Sequence, residues 1–138
     1  MRIAIISDIH GNCVALDVKQ IDVGRIVCLG DAVQGGPQPI EVVARLQERG
    51  CPVVMGNADD WLLTGFDSGA ENIPEERRVR MDKVRDWQLT RLSESDLSFI
   101  RTFQPTVQIK LDDERTLLCY HGSPKSFDHV LLPQTPDE

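Results

Sequence analysis

Short runs of aliphatic and β-branched residues, each broken off by Gly, Asp, Asn or His, recur along this chain. Four of them, Arg2–Ser7, Arg25–Leu29, Pro52–Met55 and Thr116–Tyr120, read as buried β-strands. A less buried strand is expected at Val107–Leu111, paired with the last run through the polar turn Asp112-Asp113-Glu114-Arg115. Between them the period changes. After Asn12, residues Val14, Ala15 and Val18 can share one face of a short helix. Ile40, Val43, Ala44 and Leu46 form one broad face of another, which follows Pro39 and stops at Gly50, as helix-start and helix-stop chemistry requires. Asp59 and Asp60, ahead of Trp61-Leu62-Leu63, read as the first turn of a helix, where carboxylates suit the dipole. The charged stretch Pro74–Leu92 carries Val79, Val84, Trp87 and Leu92 at roughly helical spacing, with Glu75-Glu76-Arg77-Arg78 as a solvated face. A further helix should begin at Ser93, with Asp96 three residues on as a variant capping box, and end before Pro105. Residues 64–73 read as a loop, and Trp61 and Trp87 are expected in the core.

Strand, helix, strand, helix, strand predicts an α/β layered domain whose first sheet is largely parallel. Functional residues in such sheets gather beyond the carboxyl ends of the strands. The 138 residues amount to one domain's worth of sequence, and 41% hydrophobic content can build a core. A formal net charge of −7 argues against a surface made to coat extended nucleic acid, but it permits a small anionic substrate held through bound cations. The apolar run Ile3-Ala4-Ile5-Ile6 is too short for the core of a signal peptide, and no later run approaches a membrane span, so a cytoplasmic location is expected. Cys13, Cys28, Cys51 and Cys119 form no CxxC pair and are read as small buried hydrophobes.

The strand ends hold the chemistry. Ser7-Asp8-Ile9-His10-Gly11-Asn12 follows the first run, and Gly30-Asp31, then Gly35-Gly36-Pro37, the second. Gly56-Asn57-Ala58-Asp59 follows the third, and His121-Gly122-Ser123-Pro124 the last. Carboxylate, imidazole and amide oxygen gathered at one edge make a plausible ligand set for Mn, Fe or Zn. The spacing of Asp8 and His10 lets both point the same way as the chain leaves a strand. Taken singly, Asp8 could equally be a helix N-cap. His129, beside Asp128, lacks a motif and reads as a surface residue.

In order, Asp8-Ile9-His10-Gly11-Asn12, Gly30-Asp31, Gly56-Asn57 and His121 resemble the calcineurin-like phosphoesterase superfamily, in its small bacterial and archaeal phosphodiesterase branch. The resemblance implies a layered αββα fold with mixed β-sheets and a centre of two divalent ions, manganese first, iron or zinc next. Asp8 and His10 would hold one ion, Asn57 and His121 the other, and Asp31 would bridge them. Asn12 would orient the phosphate or the attacking hydroxide. Two such ions acidify a bridging water, neutralise phosphate oxygens and hold the nucleophile in line. The implied substrate is a small phosphomonoester or phosphodiester.

The chain departs from the family pattern at three places. Ala58 stands where many relatives carry a His that assists the leaving group, and Asp59 is the nearest acidic candidate for that role. Ala32-Val33-Gln34-Gly35-Gly36 lacks the Arg found after G-D in many family phosphatases. No G-H-x-H follows His121. The expectation is therefore one metallophosphoesterase-like domain over residues 1–138, lacking its C-terminal strands, with an uncovered sheet edge through which copies could associate. The rival reading is a non-catalytic fragment that binds phosphate or one metal without turnover.

Overall fold

A computed structural model describes residues 2–16, 23–65 and 73–135. In chain order the elements are β1 (Ile3–Ile6), β2 (Arg25–Cys28), α1 (Pro39–Arg49), α2 (Asn57–Thr64), α3 (Glu75–Arg91), α4 (Glu94–Ile100), β3 (Thr106–Lys110) and β4 (Thr116–Tyr120). Strands β1 and β2 pair in parallel, Ile3 against Arg25 through Ile6 against Cys28. Pro52–Met55 continues this sheet as isolated bridges: Val53 pairs with Cys28 on one side, and Val54 with Gln104 on the other. Strands β3 and β4 form the antiparallel hairpin, with Ile109 opposite Leu117. In its turn, the Asp112 carboxylate accepts from the backbone N–H groups of Glu114 and Arg115.

Two apolar clusters define the layers. One joins Leu16, Val42, Val43, Leu46, Leu62, Ile100 and Phe103 on the helical side of the parallel sheet. The other, Val27, Val54, Ile109 and Cys119, lies between that sheet and the hairpin. The fold is thus mixed α/β, with helices over a parallel sheet and a hairpin behind it.

Several elements arise as their residues predict. Helix α1 starts at Pro39 and ends on Gly50, whose φ of 55° is the left-handed cap that favours glycine. At α4 the Ser93 side chain accepts from the Asp96 N–H while the Asp96 carboxylate accepts from the Ser93 N–H, a reciprocal capping box.

Burial differs in five places, α3 among them. Strand β1 is only half-buried, because among the described residues it pairs with β2 alone and leaves its other edge open. The hairpin strands bury one face only, so β4 is no more enclosed than β3. After Asn12 the chain makes tight turns in which Val14 is 77% exposed, and Leu16 enters the core instead; Val18 lies outside the described residues, as does most of the expected loop 64–73. In α1 the buried face is Val42, Val43 and Leu46, with Ala44 turned outward.

Helix α3 departs most. Val79, Val84 and Trp87 are all more than a third exposed, whereas Gln88 is fully buried. The helix acts as a strut. Arg85 Nε donates to the carbonyls of Trp61 and Leu62 in the last turn of α2, a favourable place for a cation. Gln88 reaches the loop that follows β2.

Candidate metal centre

The pairing of β1 with β2 continues past both strands into the site. The Asp8 N–H donates to the Gly30 carbonyl, His10 N–H to Asp31 and Gly11 N–H to Ala32, at 3.1, 2.9 and 2.9 Å. Asp8, His10 and Asp31 are fixed to one another through this ladder. All three adopt left-handed backbone, with φ of 54°, 47° and 51°. Such conformations cost non-glycine residues of order 1–3 kcal/mol each and persist only where surrounding bonds over-determine them.

The glycines of the second and third strand ends meet back to back. A Cβ on Gly30 would lie 2.7 Å from the Gly56 nitrogen and 3.1 Å from His121 Nδ1, and one on Gly56 would collide with the Asp31 backbone nitrogen and carboxylate. This contact brings Asp31 against the start of α2, where the Ala58 N–H donates to Asp31 Oδ1 at 2.9 Å. Asp31 thereby caps a helix whose own N-cap position, Gly56, has no side chain to offer. Helix α2 reciprocates. Asp59, 0% exposed, accepts from the N–H groups of Ala32 at 3.0 Å and Val33 at 2.9 Å, one on each oxygen. Burial pushes its carboxyl up to about 6; the Val33 and Ala32 N–H groups pull it down, and the Asp31 charge adds to the rise.

Two histidines complete the arrangement. His10 Nδ1 lies 2.8 Å from the Gln34 carbonyl, and His121 Nδ1 lies 2.7 Å from the Leu29 carbonyl. A carbonyl only accepts, so each Nδ1 carries its proton, and in the neutral tautomer that this allows the lone pair of Nε2 faces the site. These lone pairs face other acceptors. His10 Nε2 is 3.8 Å from Asp31 Oδ2 and 3.9 Å from Asp8 Oδ1. His121 Nε2 is 3.6 Å from the same Asp31 oxygen and 3.1 Å from Asn57 Oδ1. Acceptors converging on one point are satisfied by a proton or by a cation. Ligand atoms bound at about 2.0–2.2 Å to a common ion would sit roughly 3–3.6 Å apart, close to these separations. The donor set therefore fits divalent metal. Asp8, His10 and Asp31 all present ligand atoms within 4.8 Å of one another.

Asn12 lies on the adjoining turn, where its side-chain oxygen accepts from the Ala15 N–H. Ser7 donates to Asp8 Oδ2 at 2.5 Å and so orients that carboxylate. His129 is exposed, as its sequence context predicts, and faces Ser123 Oγ at 2.8 Å.

Gln88, in a charged helix, belongs to none of the strand-end motifs. Its Nε2 donates to the carbonyls of Val33 and Gly36, and its Oε1 accepts from the Gly35 N–H, at 3.0–3.1 Å. Asp59 and Gln88 together hold residues 32–36, the loop whose Gln34 carbonyl fixes the His10 ring. Ligating histidines are characteristically oriented by such partners.

A family model, the calcineurin-like phosphoesterase superfamily domain, matches residues 1–136. The chain belongs to that superfamily. It is 28% identical over 143 aligned positions to an uncharacterized protein of Methanocaldococcus jannaschii, covering 99% of this chain and 56% of that one. A metallophosphoesterase from Sphaerobacter thermophilus superposes with a TM-score of 0.67 at 26% identity, covering 94% of this chain and 51% of its own. A putative diadenosine tetraphosphatase shares the fold at a TM-score of 0.61 and 22% identity, with 98% and 53% covered. The chain thus spans about half the length of these relatives.

Replacing Gln88 with Leu strands the Gly35 N–H and two carbonyls without partners. We expect a loss of about 1–3 kcal/mol in urea unfolding and a fall of about ten- to a hundredfold in divalent metal affinity by calorimetry. An unchanged metal affinity would separate Gln88 from the centre.

Proposed function

We propose that this chain carries the ligand-bearing half of a two-metal phosphoester hydrolase. The observation that supports this most directly is Asp31 Oδ2, which lies between the lone-pair nitrogens of His10 and His121 at 3.8 and 3.6 Å. One oxygen so placed can serve two ions, Asp8 and His10 completing one side, Asn57 and His121 the other. When bound, divalent ions supply an acidified water nucleophile and neutralise phosphate charge. Manganese, iron or zinc suits this mix of imidazole and carboxylate better than magnesium does.

The protein's own contribution is placement. The Leu29 and Gln34 carbonyls fix the imidazole tautomers, and the Ala58 N–H holds Asp31 Oδ1 so that Oδ2 faces the site. Asn12, on the rim, would meet the phosphate. At position 58 a methyl group replaces any proton donor, and Asp59 has both oxygens engaged by backbone within the core. Asp59 would therefore act as a positioning residue, not as a donor to the leaving group. Without a donor at that place, substrates whose leaving group departs unprotonated, such as aryl esters and phosphoanhydrides, should be favoured.

A small phosphate ester is the substrate class most compatible with a net charge of −7, which disfavours extended nucleic acid. Among the described residues no helix is long and apolar enough to cross a membrane. The four cysteines are free thiols, three of them buried, which suits a reducing cytoplasm.

Coverage of only half of each relative favours a second reading, a domain half that holds metal or phosphate weakly and does not turn over. Elemental analysis decides between them. We expect fewer than two equivalents of metal in this chain, because each ligand set is short of a full coordination shell; two tightly held equivalents would remove the incompleteness argument.

For catalysis, Asp31→Asn and Asp8→Asn should be compared on bis-p-nitrophenyl phosphate with manganese, in a chain extended to the length of its relatives. Asp31→Asn should be the more damaging, since it withdraws charge shared by both ions. Retained activity in Asp31→Asn alongside loss in Asp8→Asn would rule out the bridging assignment.

The edge of β1 left open among the described residues, with Ile5 exposed, and the exposed run Val130-Leu131-Leu132 favour self-association. Sedimentation velocity should show a concentration-dependent rise in mass, and a monomer at all concentrations would exclude it.

A further inference from the structure

At the opposite end of β2 from Asp31, where α1 ends and β2 begins, lies a cavity of about 480 Å³. Ligand sites commonly occupy volumes of about 300–1,000 Å³. Arg25, Arg49 and Gln108 line it together with the apolar Ile26, Pro52 and Ile109, and no acidic side chain lines it among the described residues. In a chain of net charge −7, two guanidinium groups with no facing carboxylate among the described residues are a local inversion of sign.

A second observation concerns Arg49 itself. Its Nε is buried and has no hydrogen-bond partner among the described residues. A cation in the last turn of α1 could be explained by the negative end of the helix alone. That account would have its Nε donate to the terminal carbonyls, and it does not. Buried donors are otherwise almost always paired, so the lack of an acceptor shows that Arg49 is not tied through Nε to another described part of the protein. The charge of Arg49 is also felt at the wall. Burial pushes the neighbouring Cys51 thiol up, and Arg49 pulls against that rise.

We propose that this cavity binds a small organic oxyanion, a carboxylate or phosphate head held by Arg25 and Arg49 with its apolar body along Ile26, Pro52 and Ile109. Guanidinium groups recognise both heads through paired, charge-assisted N–H bonds. The site shares no residue with the metal centre and does not depend on hydrolysis.

The test is an amide NMR titration of the 138-residue chain with phenyl phosphate, benzoate and inorganic phosphate. Saturable shifts are expected at Gly24, Arg25, Gly50, Cys51 and Gln108, the residues around the cavity. Phenyl phosphate should bind more tightly than inorganic phosphate, because only it carries an apolar body, and comparison with benzoate identifies the preferred head. Arg49→Met should weaken binding at least about tenfold, and Arg49→Lys should restore part of it. Arg25→Met, on β2 and outside α1, provides the same comparison should Arg49→Met lose its dispersed spectrum. Shifts confined to residues near Asp8 and Asp31 would assign the anion to the metal centre and overturn the proposal. So would an absence of saturation, or an affinity unchanged in both methionine variants.

Discussion

The architecture of this chain turns on how closely two strand ends approach one another. Gly30 and Gly56 touch where β2 and the segment Pro52–Met55 leave the sheet, at a distance that no Cβ on either could share. Because they touch, the carboxylate of Asp31 reaches the first turn of α2 and the carboxylate of Asp59 reaches back to the chain after Asp31. Each segment satisfies the other's unpaired N–H groups. The result resembles a capping box made between two distant stretches of chain in place of a single helix start. The neighbouring imidazoles are then set by short bonds: His121 by the Leu29 carbonyl just before Gly30, His10 by the Gln34 carbonyl shortly after Asp31.

Backbone strain and like charge at this place are two sides of one constraint. Left-handed conformations at Asp8, His10 and Asp31 would relax if the ladder from Asp8 N–H to Gly11 N–H were absent. The same ladder crowds carboxylates, and the Asp31 charge helps to raise the Asp59 carboxyl. A cation between Asp8, His10 and Asp31 would relieve that repulsion. A ligand that binds only the folded arrangement adds its binding free energy to the stability of the fold.

The candidate ligand positions stand out in the sequence because each is set locally. Asp8-Ile9-His10, Gly30-Asp31 and Gly56-Asn57 each join a strand end to a polar side chain within three residues, and the same brevity makes β1, β2 and α1 legible. Faces are harder. Ala44 is apolar and at helical spacing, yet the sheet meets α1 at Val42, and only the crossing of helix over sheet decides between them. Val14 yields to Leu16 for a similar reason: the chain after Asn12 turns tightly, so a helical period does not apply to its first residues. Trp87 points outward because the inward position one residue later belongs to Gln88. A signal for Gln88 did exist. Met81, Val84 and Gln88 follow one another at helical spacing, so an amide stands where the apolar stripe would continue.

That amide also explains why so charged a helix is retained against the body of the protein. Helix α3 has little apolar surface to bury, and its stripe is half-exposed. Hydrophobic burial alone would hold it loosely. Its anchorage is polar: Arg85 on the carbonyls ending α2, and Gln88 on both the donors and the acceptors of residues 33–36. Polar bonds of this kind contribute modestly to net stability but are costly to break when buried, so they fix position more than they add strength. A loop that must keep one carbonyl aimed at His10 benefits from that kind of anchor. An apolar side chain at position 88 could fill the space, but it could not set the direction of the backbone groups around it.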